Sequence, residues 1–317
     1  MEKVALLFPG QGAQEPGMCG EVLEEFDAAR RVMNRADEAL DVPLTEICAD
    51  GPEDRLNRTD VSQPAMLSVS MAVLEAVRTE GADLSPDRVA GAAGLSLGEY
   101  SALCAAGSLE LQEAVRLVRR RGEFMQEACE ARPGTMYSII GLDDEDVEAA
   151  CREIREKSGG SVWPANYNCP GQVVISGDED DAAAAAELCE ERGARRAIQL
   201  SVAGAFHSQF MEPAADRLRS ELDRTNFETP GYPVVSNVAG QPGDNPDEIG
   251  DLLHSQLTSP VRWADCMEWF LERGVTRFYE VGPGRVLRGL LRRIDRDADC
   301  VSVRDADGVR QMAAELS

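Results

Sequence analysis

The first apolar run, Val4-Ala-Leu-Leu-Phe8, has no polar break and stops at Pro9-Gly10. Five apolar residues closed by a Pro-Gly turn predict an interior parallel strand buried on both faces, rather than an amphipathic helix. Helical spacing follows over residues 21–40 and 63–78, and residues 88–94 read as a short strand of small residues. Beyond Ser96, residues 97–106 and 109–130 are again spaced as helices. Strand, helix, strand, helix is the order of an α/β sheet.

The middle of the chain changes character. Residues 134–140 predict a strand and 144–157 a helix. A hairpin of 161–168 with 172–176 turns around Cys169-Pro170-Gly171, and a helix over 178–192 and a strand over 195–200 follow. That β-α-β-β-α-β order is the split, ferredoxin-like arrangement. The α/β pattern then resumes with a helix from Ser208, a strand over 233–236, helices over 248–256 and 261–273, a strand over 276–281 and a closing helix over 284–294. The expected fold is α/β: a large α/β hydrolase-like domain with a parallel-sheet core, formed by residues 1–130 and 198–317. A small ferredoxin-like α+β subdomain, 131–197, is inserted into it.

Composition narrows the function. Lys and Arg number 32 against 57 Asp and Glu, a net charge of −25. Binding nucleic acid needs a basic face to neutralise phosphates, and a polybasic membrane-surface protein needs the same excess, so neither class fits. A hydrophobic content of 43% is ordinary for a folded domain. An acidic surface with lysine only at 3 and 157 suits a salt-rich cytoplasm, and biased genome composition explains it equally well. The nine cysteines are scattered with no CxxC pair, which points to neither a zinc site nor a disulfide framework. No stretch approaches a membrane span, and the first apolar run is too short for a signal-peptide core. The expectation is a soluble, reduced, cytoplasmic protein, monomeric by default.

Gly94-Leu95-Ser96-Leu97-Gly98 matches G-x-S-x-G between a predicted strand and a predicted helix. On such a sharp turn the serine is pushed into the open, the flanking glycines relieve crowding, and the Leu97 amide can donate to an oxyanion. Taken alone the pattern also fits a plain tight turn. A nucleophilic serine needs a base, and the chain has only two histidines. His254 lies within a predicted helix and reads as a helix-face residue. His207 falls just past a predicted strand end, where α/β folds collect functional groups, which favours it as the general base. No acidic residue stands out as a third member, and a main-chain carbonyl could orient the imidazole equally well.

Six segments in order resemble the signature blocks of malonyl-CoA:acyl-carrier-protein transacylases, relatives of the acyltransferase domains of fatty-acid and polyketide synthases. They are Phe8-Pro-Gly-Gln-Gly-Ala-Gln14, Gly94-Leu-Ser-Leu-Gly-Glu-Tyr100, Arg121-Gly-Glu-Phe-Met-Gln126, Ala165-Asn-Tyr-Asn-Cys-Pro-Gly-Gln-Val173, Gly204-Ala-Phe-His207 and Glu280-Val-Gly-Pro-Gly284. The resemblance covers nearly the whole chain. It implies Ser96 as the acyl-accepting nucleophile, His207 as its base, and Gln11 with the Leu97 amide as the oxyanion hole. Arg121 is implied as the grip on the malonyl carboxylate, Gln63 as lining the site, and the main-chain carbonyl of Arg262 as orienting the histidine. Phe206 before His207 accompanies malonyl selection in related acyltransferases, its ring filling the space of an α-methyl group.

Two positions depart from the pattern. Leu95 stands where a histidine is common, removing a polar contact to the acyl group. Cys169 stands where serine is common, and reads as a small buried residue. The resemblance implies malonyl-CoA and the phosphopantetheine form of acyl carrier protein as partners, with the CoA thioester a substrate and no metal or tightly bound cofactor. Carrier proteins are acidic, so a chain at −25 needs a local basic patch. Arg116, Arg119 and Arg120 form one candidate, and Arg285, Arg288, Arg292 and Arg293 another. Salt-bridged helix faces would account for either set equally well. Two alternatives remain: a serine esterase or thioesterase using water as acceptor, and a non-catalytic scaffold of the same fold.

Overall fold

The computed structural model describes residues 3–243 and 245–317. Five strands form a parallel sheet: β1 (Val4–Phe8), β2 (Val89–Gly94), β7 (Val234–Val235), β8 (Arg277–Val281) and β9 (Asp299–Val303), in the order β7-β2-β1-β8-β9. The unbroken apolar run of β1 follows from its central position, because side chains of alternating strand residues enter two different cores. Ala5 and Leu7 pack with Trp263, Met267 and Phe270 on one face. Leu6 and Phe8 join helices Thr59–Thr79 and Leu97–Ala105 on the other.

Four strands make the second, antiparallel sheet: β3 (Thr135–Ile140), β4 (Val162–Cys169), β5 (Gln172–Gly177) and β6 (Arg196–Gln199), in the order β4-β5-β3-β6. Helices Asp144–Ser158 and Glu179–Glu191 cover one face through Ile139, Val173, Ile175, Val147, Ala150 and Ala185. The period-two alternation turns Met136, Ser138 and Val174 to the other face, towards a cleft. The two sheets are tied where the Tyr167 amide donates to Val261 O and the Val261 amide to Ala165 O, both at 2.8 Å.

Three readings of the sequence are corrected. The helix expected over 21–40 is two, Gly20–Glu25 and Asp27–Leu40, broken where Phe26 is extended. The helix expected from residue 63 begins at Thr59 and runs through Pro64. A proline there removes the amide that would bond to Asp60 O, and the Arg119 guanidinium donates to that carbonyl instead at 2.8 Å. The chain does not close at residue 294: β9 and helix Ala306–Leu316 follow, the strand half exposed at the sheet edge. Among the described residues, no helix is long and apolar enough to cross a membrane.

Candidate active site

Ser96 sits between the end of β2 and the start of helix Leu97–Ala105, with φ 53° and ψ −105°. A non-glycine residue with positive φ carries strain of about 1–3 kcal/mol and persists only where its surroundings over-determine it. Here two side chains hold the serine's own backbone. The Ser96 amide donates to Asn237 Oδ1 at 2.6 Å, and Gln256 Nε2 donates to the Ser96 carbonyl at 3.0 Å. Both glycines of the elbow are required by close approach. A Cβ on Gly94 would lie 1.9 Å from the Gly98 carbonyl carbon, and one on Gly98 would lie 2.1 Å from Phe8 O.

Ser96 Oγ lies 2.8 Å from His207 Nε2, and His207 Nδ1 lies 2.8 Å from the carbonyl oxygen of Gln256. A carbonyl only accepts, so Nδ1 carries the proton and Nε2 is the free acceptor facing the serine hydroxyl. Burial first, and the nearby Arg121 charge second, push the imidazole down to about 4, so His207 is a neutral base at physiological pH. The orienting carbonyl is that of Gln256, not Arg262. Gln256 ends helix Pro246–Gln256, where carbonyls lack intrahelical donors, whereas Arg262 O is occupied by the Cys266 amide in the first turn of the next helix. The strand preceding His207 is also not one of the parallel strands: β6 is an edge of the antiparallel sheet, and residues 200–206 carry the chain across to Ser96.

Arg121 is buried, 1% exposed, although it follows Arg119 and Arg120 in sequence. Its Nη1 donates to Gln63 Oε1 at 2.8 Å, and its Nη2 to Gln256 Oε1 at 2.9 Å and to Ser96 Oγ at 3.1 Å. The Tyr100 ring lies 5.4 Å from the guanidinium carbon. Burial lowers its pKa, but a guanidinium stays charged in a protein. Gln63 does not line the cleft as expected. It is wholly buried behind Arg121, with its Nε2 directed at Met125 Sδ at 3.4 Å, and fixes one side of the guanidinium.

Ser96, His207 and Arg121 open into a cavity of about 620 Å³ between the two sheets. Gln11, Leu95, Leu97 and Phe206 line it beside Ser96, and Ser138, Asn166, Asn168 and Gln172 on the antiparallel sheet. Leu97 opens its helix, where first-turn amides have no intrahelical acceptor. Cys169 is buried outside the cavity, its thiol 3.7 Å from Gln172 Oε1. Three residues that sequence reasoning passed over, Glu99, Asn237 and Gln256, complete the hydrogen bonding of the site. Only Glu99 left a trace in the sequence, as a charge inside an otherwise buried helix.

The two basic candidates separate. Arg119 pairs with Asp60 and Glu123, Arg120 with Glu123, and Arg116 donates to Ala39 O, so that group is a salt-bridged helix face away from the cavity. Helix Val286–Ile294 differs. Its Val286 and Leu290 line the cavity, while Arg285, Arg288, Arg292 and Arg293 are exposed and form no ion pairs among the described residues. Arg292, Arg293 and Arg296 border a separate surface depression.

A strained serine bonded to a neutral histidine, at the start of a helix and beside a buried arginine, defines the site of a serine-dependent acyl-transfer protein. Residues 5–306 match the family model described as acyl transferase domain, and the chain belongs to that family. It is 43% identical over 309 residues to the malonyl CoA-acyl carrier protein transacylase of Bacillus subtilis, covering 98% of this chain and 96% of that one. To the Escherichia coli K12 protein of the same name it is 42% identical over 294 residues, 93% of each chain. A solved acyl-carrier-protein-S-malonyltransferase from Bartonella henselae superposes with a TM-score of 0.95 at 41% identity, covering 99% of both chains. A malonyl-transacylase solved in complex with its type II PKS acyl-carrier protein superposes at 0.94 with 38% identity, over 99% of this chain and 100% of that one.

Proposed function

We propose that this chain transfers the malonyl group of malonyl-CoA to the phosphopantetheine thiol of an acyl carrier protein, through an ester on Ser96, supplying units for fatty-acid or polyketide synthesis. The observation that carries the reading is the Arg121 guanidinium, wholly buried with Nη2 3.1 Å from Ser96 Oγ. An esterase acting on neutral acyl groups gains nothing from a buried cation beside its nucleophile. An acyl group ending in a carboxylate does, because the planar fork matches it through two charge-assisted bonds.

His207 Nε2 takes the Ser96 proton as Oγ attacks the thioester carbonyl, and the carbonyl π electrons move to oxygen. The Leu97 amide and Gln11 donate to that oxyanion, while the Gln256 carbonyl holds Nδ1–H and supports the imidazolium. Collapse breaks the C–S bond, and the CoA thiolate leaves with the proton from His207. The carrier thiol repeats the sequence in reverse: it gives its proton to His207, attacks the ester and releases Ser96. Phe206, in the cavity wall, opposes an α-methyl group, a preference of about 1–3 kcal/mol.

The domain carrying nucleophile, base and arginine, expected as 1–130 and 198–317, and the insert that supplies the facing wall, expected as 131–197, meet beyond β6, so the insert runs on to Gln199. The exposed arginines of helix Val286–Ile294 meet the acidic carrier and the CoA phosphates. The nine unpaired thiols suit a reducing cytoplasm. The test is partition between acceptors. With malonyl-CoA alone the enzyme should release free malonate slowly, and holo carrier protein should capture nearly every malonyl group. Malonate release at the same rate with and without carrier would make it a hydrolase.

A further inference from the structure

We infer that Glu99 is a positioning residue for this site, using one carboxyl oxygen to hold Asn237 and Gln256, and through them Ser96 and Arg121; the inference rests on the acyl-transfer reading above. Glu99 is the third residue of helix Leu97–Ala105 and is 3% exposed, flanked by the buried Gly98, Tyr100 and Ser101. A buried carboxyl group is costly, and an apolar side chain would fill this space more cheaply. No ion pair offsets that cost among the described residues. Oε2 accepts from Gln256 Nε2 at 2.6 Å and from the Asn237 backbone amide at 3.1 Å, and the Ser236 hydroxyl and the Arg121 charge further favour the ionised carboxylate.

Gln256 and Asn237 carry the geometry of the site. Asn237 Oδ1 receives the Ser96 amide, while Asn237 Nδ2 donates to Gly94 O at 2.8 Å, which closes the elbow on both sides of the serine. Gln256 uses every polar group it has. Its Nε2 bonds both Glu99 and the Ser96 carbonyl, its Oε1 takes Arg121 Nη2, and its main-chain carbonyl takes His207 Nδ1–H. The orientation of its amide is over-determined, because a guanidinium only donates and a carbonyl only accepts. Glu99 supplies a second acceptor for Nε2, beside the Ser96 carbonyl, on the side away from Arg121. Without it, the Gln256 amide loses one of the two acceptors of its Nε2 group, which loosens the serine's anchor and the arginine's anchor together and leaves the main-chain carbonyl on His207 in place. Glu99 touches none of the reacting atoms and acts only through these two residues.

The test compares two side chains of similar size, Glu99→Gln, which keeps an acceptor oxygen, and Glu99→Met, which does not. Formation of the acyl-serine ester is followed by intact-protein mass with malonyl-CoA, and with acetyl-CoA as the acyl group lacking a carboxylate. Thermal unfolding checks the fold of each variant. Glu99→Gln should slow malonyl loading by less than about tenfold. Glu99→Met should slow it about a hundredfold, the scale of a small misplacement of catalytic groups, and should lower the ratio of malonyl to acetyl loading. A residue that merely fills the core would give the opposite order, because methionine packs there at less cost than a glutamine amide. Equal loading by the two variants, with unchanged selectivity, overturns the inference. Should Glu99→Met fail to fold, Gln256→Met cuts the same link from the other side and keeps the main-chain carbonyl; unchanged malonyl selectivity in that variant overturns it equally. Failure of the wild-type protein to load malonyl at all would instead strike the acyl-transfer reading.

Discussion

At the scale of single residues, the proposed mechanism turns on a histidine held neutral. An ordinary imidazole titrates near 6.5, but burial and the Arg121 charge hold His207 down to about 4. Its depressed pKa keeps the active, unprotonated form populated well into acid. The rate of ester formation on Ser96 should therefore stay flat from about pH 8 to about pH 5 and fall only as His207 protonates below that. Single-turnover loading across this range checks it, and a fall centred near 6.5 would contradict the assignment. Burial lifts the Glu99 carboxyl to about 7; both N–H donors bond Oε2, so a proton on Oε1 leaves those two bonds in place while removing the charge that faces Arg121. Arg121→Lys should cut kcat/KM for malonyl-CoA about a hundredfold while sparing acetyl-CoA loading, since an ammonium cannot hold Gln63, Gln256 and a carboxylate at once. Ser96 and His207 could be read from the sequence as a pair, because an elbow motif limits the nucleophile and two histidines limit the base. The carbonyl that orients His207 could not, since any residue type offers one, and Gln256 was chosen by where its helix ends.

Among the elements, glycine pattern and strand pattern carried different amounts of information. The elbow was legible because its glycines answer a local need: Gly98 lets helix Leu97–Ala105 start against the end of β1. Gly98→Ala puts a methyl group 2.1 Å from Phe8 O, and backbone cannot yield as a side chain would. It should lower stability by at least about 2 kcal/mol, measured by denaturant unfolding, and abolish ester formation in the fraction that folds. β1 announced itself through its apolar run, and the hairpin of β4 and β5 through its Pro-Gly turn. β9 escaped notice because an edge strand, here Asp299-Cys-Val-Ser-Val303, is half exposed and follows a charged stretch. Pro64 misplaced a helix start for a similar reason: the residue that repairs it, Arg119, lies 55 positions away.

For the whole molecule, a net charge of −25 sets the problem of meeting an acidic partner. Composition gave the sign of that charge but not its distribution. Both arginine groups look alike in sequence, and only packing separates the salt-bridged face at 116–120 from the one on helix Val286–Ile294, which forms no ion pair among the described residues. Reversing charge at Arg288 and Arg292 should raise the KM for carrier protein about tenfold or more and flatten or invert its salt dependence, while leaving single-turnover loading by saturating malonyl-CoA within about twofold. An unchanged KM would remove that helix from the docking surface.

The most direct test is the mass of the intact protein after incubation with malonyl-CoA, beside Ser96→Ala, followed by addition of holo carrier protein. One malonyl group on the wild type, none on the variant, and transfer of that group to the carrier is the expected result. An adduct that persists in Ser96→Ala, or one that carrier protein does not remove, would contradict the account.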